Sequence, residues 1–146
     1  MKKKMVKGKS ELLWQDLEVK FDEKSEFLEV DGGEYLIDIM PSVEDTKGNN
    51  GESGELKITN LRLIWICAKN KGINLSIGYS MVISIKVNSI DSVLRGKTEA
   101  LFILTKVKDT RFEFVFTNLV SSNHRLFVTI QVTRTLAKHG SFDVIH

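Results

Sequence analysis

Cysteine, proline and long apolar runs are all scarce in this chain, and each scarcity excludes a class of protein. Proline and cysteine occur once each among 146 residues. A single cysteine cannot build an internal disulfide framework, and Cys67, within the apolar run LRLIWICA, is predicted to be a buried, unreactive thiol. No apolar run approaches the roughly 20 residues that span a bilayer. The lysine-rich start MKKKMVKGK lacks the apolar segment of a secretory signal, so we expect a cytoplasmic protein in a reducing compartment.

Sequence patterns for catalysis, metal binding and nucleic-acid binding are also missing. The three histidines, His124, His139 and His146, lie in the last 23 residues and lack metal-ligand spacing. The carboxylates do not follow the spacing of a calcium loop, and no nucleophile motif is present. Aromatic residues alternate with the strand pattern, which leaves no stacking platform for nucleic acid. We therefore predict a protein that is not an enzyme, with no metal, no cofactor and no nucleic-acid partner.

Charge is unevenly distributed along the chain, although the formal net charge is only +2. Residues 1–9 carry five lysines and no acid, and residues 10–55 carry three lysines and fourteen carboxylates. Residues 56–146 carry thirteen basic and five acidic side chains. This partition predicts either a body with one acidic and one basic side or a fold in which the two sets interleave. Residues 1–9 are predicted to form a basic disordered tail, and residues 10–146 a single domain.

The composition and patterning are those of a soluble, mainly β domain, with a hydrophobic share of 42% and a charged share of 27%. Seven short β-branched or alternating segments, separated by turn signals, predict an antiparallel sandwich or barrel. They are Tyr35–Met40 (stopped by Pro41), Leu56–Thr59, Leu61–Ala68, Asn74–Tyr79, Met81–Val87, Glu99–Val107 and Arg111–Thr117. Before them, Ser10 is predicted to cap a helical turn that contains Leu13 and Leu17.

The alternation within these segments also predicts the core. Alternate residues of a strand face the same side of its sheet. The residues predicted to be largely buried are Phe112, Phe114, Phe116, Leu56, Ile58 and Trp65, and those predicted to face solvent are Lys57 and Glu113.

The carboxy-terminal segment fits two structures. Apolar residues alternate over Leu126–Val132 as in a strand, whereas Leu126, Ile130, Thr133 and Ala137 fall on one helical face. About fifteen residues without a breaker exceed the length of most strands, so a helix over Arg125–Lys138 is predicted. Seven strands followed by one helix is the plan of a pleckstrin-homology-like barrel, in which the helix closes one open end.

Several runs follow one another in the order and spacing of a known family. They are LWQDLEVKFD, GEYLID, SVEDTKGNNG, GELKITNLRLIW, NLSIGY, LRGKTEALFILTK, TRFEFVFTNLV and RLF, between Leu13 and Phe127. In these runs the chain resembles the first pleckstrin-homology-like domain of the Bardet-Biedl syndrome protein five family. The resemblance implies a subunit of the BBSome, the coat-like complex that moves membrane proteins in and out of cilia, with other BBSome subunits as partners. It also implies phosphoinositide binding, a peripheral membrane location at the cilium or ciliary base, and a second domain of the same kind that this chain does not contain.

The glycine-rich run EDTKGNNGESG, residues 44–54, raises the question of phosphate binding because it carries Lys47. A nucleotide-binding loop ends in Gly-Lys followed by Ser or Thr at the start of a helix, whereas here the lysine precedes the glycines and a strand follows. Four carboxylates in and next to the run are expected to repel a phosphorylated headgroup. We interpret the run as a hairpin loop in which Gly48, Gly51 and Gly54 adopt positive φ.

Lysines in three hairpin loops form the candidate headgroup site. The candidate lipid-binding residues are Lys47, Lys69, Lys71, Lys106 and Lys108. Five lysines without an arginine predict a diffuse cationic surface, with an attraction to an anionic leaflet of about 1 kcal/mol per residue, and not a bidentate grip on phosphate. Arg62, Arg95, Lys97 and Arg111 are predicted either to form a second patch or to pair with carboxylates.

Two functional hypotheses from different classes remain open. One is a membrane-reading module with weak affinity for phosphoinositides. The other is a scaffold that docks protein partners and has no working lipid pocket. The carboxylates around Lys47 favour docking, whereas the basic residues 56–146 favour the membrane, and a coat subunit can do both.

Overall fold

A computed structural model describes residues 3–7, 12–30, 32–49, 51–120 and 123–139. It contains a two-stranded hairpin, an eight-stranded sheet and one α-helix. The elements are β1 (Lys3–Lys7), β2 (Leu12–Asp16), β3 (Val19–Phe21), β4 (Leu36–Asp45), β5 (Glu52–Thr59), β6 (Arg62–Cys67), β7 (Asn74–Gly78), β8 (Val82–Ser92), β9 (Gly96–Val107), β10 (Thr110–Asn118) and α1 (Asn123–His139). Short 3-10 helices cover Ser25–Leu28 and Tyr79–Met81.

The large sheet has the strand order β3-β7-β6-β5-β4-β10-β9-β8, and every neighbouring pair is antiparallel. Within the described residues β3 and β8 each have one strand neighbour, so the sheet is not closed. The ring of Phe21 on β3 nevertheless packs on Phe112 and Phe114 of β10, with centroids 5.4 and 5.9 Å apart. The sheet therefore folds over until its two halves face each other. The mainly β architecture with one carboxy-terminal helix is confirmed, with eight strands in an open sheet instead of seven in a barrel.

All seven predicted strands are present, but the first does not end at Pro41. Strand β4 continues to Asp45 through a register shift between Met40 and Val43. At this shift Pro41 and Ser42 together stand opposite the single residue Glu55 on β5. Such a β-bulge tolerates proline because the bulged residue is not needed as a donor in the ladder.

The amino-terminal part departs most from the prediction. Within residues 1–9, which were predicted to form a disordered tail, Lys3–Lys7 form β1 and pair with β2. The predicted helical turn is wrong because Leu12–Asp16 is a strand, and its proposed cap, Ser10, lies outside the described residues. The register places Met5 opposite Trp14. The lysine-rich run therefore contributes an apolar residue to a cross-strand pair, which its high lysine content did not suggest.

The core lies between the two halves of the sheet and under α1. Five of the predicted core residues are buried: Leu56, Ile58, Trp65, Phe114 and Phe116. The sixth, Phe112, is half-buried and packs against this core. The indole N–H of Trp65 donates to the carbonyl of Val43 at 2.9 Å, which satisfies its polar atom. Glu113 is exposed as predicted, Lys57 is half-buried, and Cys67 is buried as predicted.

The helix prediction is confirmed, because Asn123–His139 contains the whole of the predicted range 125–138. Leu126, Ile130 and Thr133 are buried on its inner face, and Ala137 packs partly against the core. Helical spacing therefore overrides the β-branched alternation, because it places three apolar or small side chains against the open side of the folded sheet.

Candidate functional site

Glu44 at the end of β4 points into the protein, contrary to the expected repulsion of a headgroup. Its carboxylate is buried and accepts hydrogen bonds from Thr46 Oγ1 at 2.7 Å and from Ser92 Oγ at 2.7 Å. The backbone N–H of Leu94 donates to its second oxygen at 3.0 Å. Glu44 therefore ties the glycine-rich loop to the turn between β8 and β9, and its charge is not presented at the loop surface.

Asp45 organises the same loop from inside. Its buried carboxylate accepts from the Asn49 side chain at 2.6 Å and from the Gly48 N–H at 3.1 Å. Burial raises the pKa of Asp45 above its ordinary 3.8, and these hydrogen bonds oppose the shift. Of the three glycines predicted to adopt positive φ, only Gly51 does, at +77°. Gly54 is needed for space instead, because a β-carbon there would clash with the backbone carbonyl oxygen of Ile66 on β6.

The five candidate lysines lie in or next to three loops, and they differ in whether a carboxylate lies close enough to neutralise their charge. Lys47 Nζ lies 2.8 Å from Glu113 Oε1, and Lys69 Nζ lies 3.8 Å from Glu52 Oε2. The structure thus brings carboxylates to two of the five lysines. The remaining lysines, Lys71, Lys106 and Lys108, are exposed and have no carboxylate within 4.0 Å in the part of the chain that the structure describes.

A ring of contacts places these loops around one opening of the folded sheet. The N–H of Ala68 donates to the carbonyl of Ser53, which joins loop 68–73 to β5. The N–H of Asp22 donates to the carbonyl of Asn74, which joins the end of β3 to the start of β7, directly after loop 68–73. The Phe21 ring then reaches β10, and Lys47 links β10 back to loop 46–51. We call this opening the mouth: loops 46–51 and 68–73, the end of β3 and the β9–β10 hairpin.

The β9–β10 hairpin carries the densest positive charge at the mouth. Arg111 stands directly opposite Lys106 in the ladder, and Lys108 occupies the two-residue turn with φ of +56°. Like charges directly opposite each other destabilise a sheet, so folding stability does not account for this arrangement. The nearest carboxylates along the hairpin are Asp109, which is exposed in the turn, and Glu113, which is held by a lysine. We call Lys106, Lys108 and Arg111 the basic hairpin.

Arg111 was predicted as part of a second patch or as a partner of a carboxylate, and not as part of the headgroup site with Lys106 and Lys108. The signal was present, because the short link KVKDT between two strong strands implies a tight turn that places residues 106 and 111 opposite each other. The other three cations of the second predicted patch are dispersed. Arg62 is buried in an ion pair with Glu34, Arg95 Nη1 donates to the carbonyl of Asn118, and Lys97 is exposed on β9.

A second concavity lies between β2 and α1. Its volume is about 230 Å³, and Asp16, Tyr79 and Arg134 are among its lining residues. Burial raises the pKa of Asp16 to about 6, although a hydrogen bond from the Glu18 N–H at 2.9 Å opposes the shift. The volume is below the range of about 300–1,000 Å³ that is typical of small-molecule pockets. Its lining contains none of the candidate lysines.

Metal and membrane-spanning features are absent from the described ranges. No cluster of three His, Cys, Asp or Glu side chains there is arranged to hold a metal ion. Among the same residues, no helix combines the length and apolar character needed to cross a bilayer. The side chain of His124 is exposed, whereas those of His139 and His146 lie outside the described part.

Comparison with known proteins gives consistent matches. A family model described as the Bardet-Biedl syndrome 5 protein N-terminal PH-like domain matches residues 34–137. The chain is 51% identical over 133 residues to the BBSome complex member BBS5 of Mus musculus, covering 91% of this chain and 38% of that protein. It is 36% identical over 155 residues to the BBSome complex member bbs-5 of Caenorhabditis elegans, covering 94% and 43%. Among solved structures it is similar to the Vps36 N-terminal PH domain, with a TM-score of 0.50 and 26% identity, covering 73% of this chain and 81% of that one.

These matches agree with the fold described above. The structural neighbour is a PH domain, and the chain has a mainly β sheet followed by one helix. The chain spans less than half the length of the curated relatives that it matches. Because the family model covers most of the sequence, the chain belongs to the Bardet-Biedl syndrome 5 protein family and corresponds to its N-terminal PH-like domain.

Proposed function

We propose that this domain is a weak membrane-reading module of a BBSome-like coat complex, which acts in ciliary membrane-protein transport together with other BBSome subunits. The names of its relatives support the assignment to the complex. The observation that carries membrane binding is the basic hairpin, whose three exposed cations have no carboxylate within 4.0 Å among the described residues. In this proposal the domain performs no catalysis and acts at the cytoplasmic surface of membranes at the cilium.

The chemistry of the hairpin favours weak and additive binding. Lysine ammonium groups on an open surface act as point charges, each contributing about 1 kcal/mol near an anionic leaflet. Arg111 alone offers a planar fork for a phosphate, so phosphoinositides are bound chiefly through their charge. Exposed charges are screened within about 8 Å at physiological salt, so binding should weaken steeply between low and physiological ionic strength.

Liposome co-sedimentation tests the proposal. The five lysines of residues 1–9 are first replaced with glutamine, so that they do not mask the domain's own binding. In this background Lys106→Gln with Lys108→Gln is compared with Lys47→Gln with Lys69→Gln, which removes the same charge from the two lysines near carboxylates. Across a phosphoinositide series we expect the hairpin variant to lose most of the binding and the control variant to lose little.

Two outcomes would contradict the proposal. Equal losses in the two variants would mean that binding follows net charge and not the hairpin. No binding of the background protein to any anionic vesicle at low salt would remove the membrane function from this domain.

The second candidate function is a protein-docking scaffold without a working lipid site. It is favoured by β8, whose eleven residues form one edge of the sheet and pair only with β9 within the described ranges. An edge strand offers unpaired N–H and C=O groups to an extended segment of a partner. If no vesicle binding is found, Ser84→Pro and Asn88→Pro on β8 become the variants to test for loss of complex assembly.

A further inference from the structure

Phe21 is an aromatic residue that faces inward yet remains exposed. The ladder pairs it with Leu75, which is buried, so its side chain is on the core side of β3. Its ring packs against Phe112 at 5.4 Å and Phe114 at 5.9 Å. Even so, 46% of the residue is accessible, because β3 ends here and no further strand covers it within the described residues. The mouth therefore displays part of a phenylalanine cluster.

The exposed ring lies next to the basic hairpin. Phe112, on which it packs, directly follows Arg111 and stands opposite Thr105, the residue before Lys106. The adjacent carboxylate, Asp22, is engaged in the turn, because its Oδ1 accepts the Asn74 N–H at 3.1 Å. The exposed ring and the basic hairpin therefore lie at the same mouth, with Arg111 and Lys106 on the face of the ladder opposite to Phe112.

We propose that Phe21 enters the acyl boundary of an anionic bilayer while the basic hairpin contacts the headgroups. The inference rests on the proposed function and adds an apolar anchor to it. The charge of the hairpin suits an anionic leaflet, and a bilayer also offers the apolar layer that a half-exposed ring needs. A soluble inositol phosphate has the same charge but no such layer. The anchor lies at the end of β3, the strand before β4.

Vesicle titration separates this anchor from general hydrophobicity. Phe21→Ser is compared with Phe27→Ser, a matched control at a residue of the same type that is 41% exposed on the 3-10 helix Ser25–Leu28. Phosphatidylcholine vesicles containing phosphatidylserine are the probe. We expect the affinity of Phe21→Ser to fall about tenfold and that of Phe27→Ser to change less than about twofold, since only the first buries its ring in lipid. At high salt, where charge attraction is screened, the parent protein and Phe27→Ser should keep a residual affinity for the vesicles, and Phe21→Ser should not.

A fluorescence measurement keeps the inference testable if Phe21→Ser does not fold. Phe21→Trp retains the ring and adds one fluorophore to the two native tryptophans, whose signal in the parent protein is subtracted. Vesicles with nitroxide-labelled acyl chains should quench the added fluorescence, whereas inositol phosphate in solution should not change it.

The outcomes separate the anchor from the proposed function. If the parent protein binds these vesicles and Phe21→Ser binds equally well, or if the Phe21→Trp signal is not quenched, the anchor is refuted and membrane binding stands. If the parent binds no anionic vesicle, the proposed function fails and the anchor fails with it. Equal losses in Phe21→Ser and Phe27→Ser would also refute the anchor.

Discussion

Replacing Arg62 with methionine is expected to be among the most destabilising single changes in this domain. The side chains of Arg62 and Glu34 are both 0% exposed. Arg62 Nε donates to Glu34 Oε2 at 2.8 Å, and Nη2 donates to Oε1 at 3.2 Å, a bidentate arrangement. Nη1 donates to Ser76 Oγ at 2.9 Å, and Thr59 Oγ1 donates to Glu34 Oε2 at 2.8 Å. The pair joins the segment before β4 to the outer side of β6.

The magnitude follows from the charge that the substitution leaves behind. Methionine matches the length of the arginine stem, so little volume is lost, but the carboxylate of Glu34 stays buried without its guanidinium. Removing one partner of a buried ion pair costs about 3–5 kcal/mol, whereas replacing both by apolar residues is often nearly neutral. We therefore expect Arg62→Met to lower the free energy of unfolding by about 3–5 kcal/mol, and the double variant Arg62→Met with Glu34→Leu to recover most of that loss.

Urea unfolding at pH 7 of the parent, both single variants and the double variant gives the full thermodynamic cycle. A coupling energy above about 2 kcal/mol between the two sites is expected for residues in direct contact. If the two single losses simply add in the double variant, or if Arg62→Met costs less than about 1 kcal/mol, the buried pair is not what holds the segment and this reasoning is refuted.

Three further changes test other parts of the structure. Burial raises the pKa of Asp16 to about 6 from 3.8, so the native state binds a proton that the unfolded state has lost. This group alone should lower stability by about 2–3 kcal/mol as pH rises from about 4 to 6, and Asp16→Asn should remove its share of the slope in urea unfolding, leaving the smaller share of Asp45. Phe114→Ala should cost about 3–5 kcal/mol, and an unchanged Tm would mean that the inward face of β10 is misassigned. Gly54→Ala should cost about 1–3 kcal/mol because its β-carbon would meet the Ile66 carbonyl, whereas Gly72→Ala, near only a side-chain oxygen, should leave Tm almost unchanged.

Local periodicity was enough to find the main strands and the helix. Apolar residues such as Phe114 and Phe116 alternate at the strand period in the sequence, and in the structure they are buried on the same face of their strand. β3 was missed because three residues are too few to establish alternation. β4 was cut short because Pro41 signals a break unless a bulge accommodates it, and a bulge depends on the register with β5.

Contacts between distant parts of the chain decided which charges are available at the mouth. Lys47 and Glu113 lie 66 positions apart, and no local pattern indicates that they meet. The inward direction of Glu44 depends on two donors, one from the end of β8 and one from the turn after it, 48 and 50 positions away. The sequence was therefore enough to predict lysine-bearing loops as a candidate site, which stays a prediction, but not which of those lysines approach carboxylates. Arg111 was the exception, because a tight hairpin makes its neighbour predictable.

The uneven charge along the sequence becomes, in part, a division between interior and surface. The acidic residues 10–55 supply the buried carboxylates Asp16, Glu34, Glu44 and Asp45. The described carboxylates of residues 56–146 are exposed, and so are the cations of the basic hairpin. Screening at physiological salt acts over about 8 Å, so an approaching leaflet responds mainly to the exposed charges nearest to it. The arrangement therefore differs from both predicted alternatives, a body with one acidic and one basic side and a surface on which the two sets of charges interleave. Membrane affinity should therefore follow the charge of the hairpin and not the net charge of the chain.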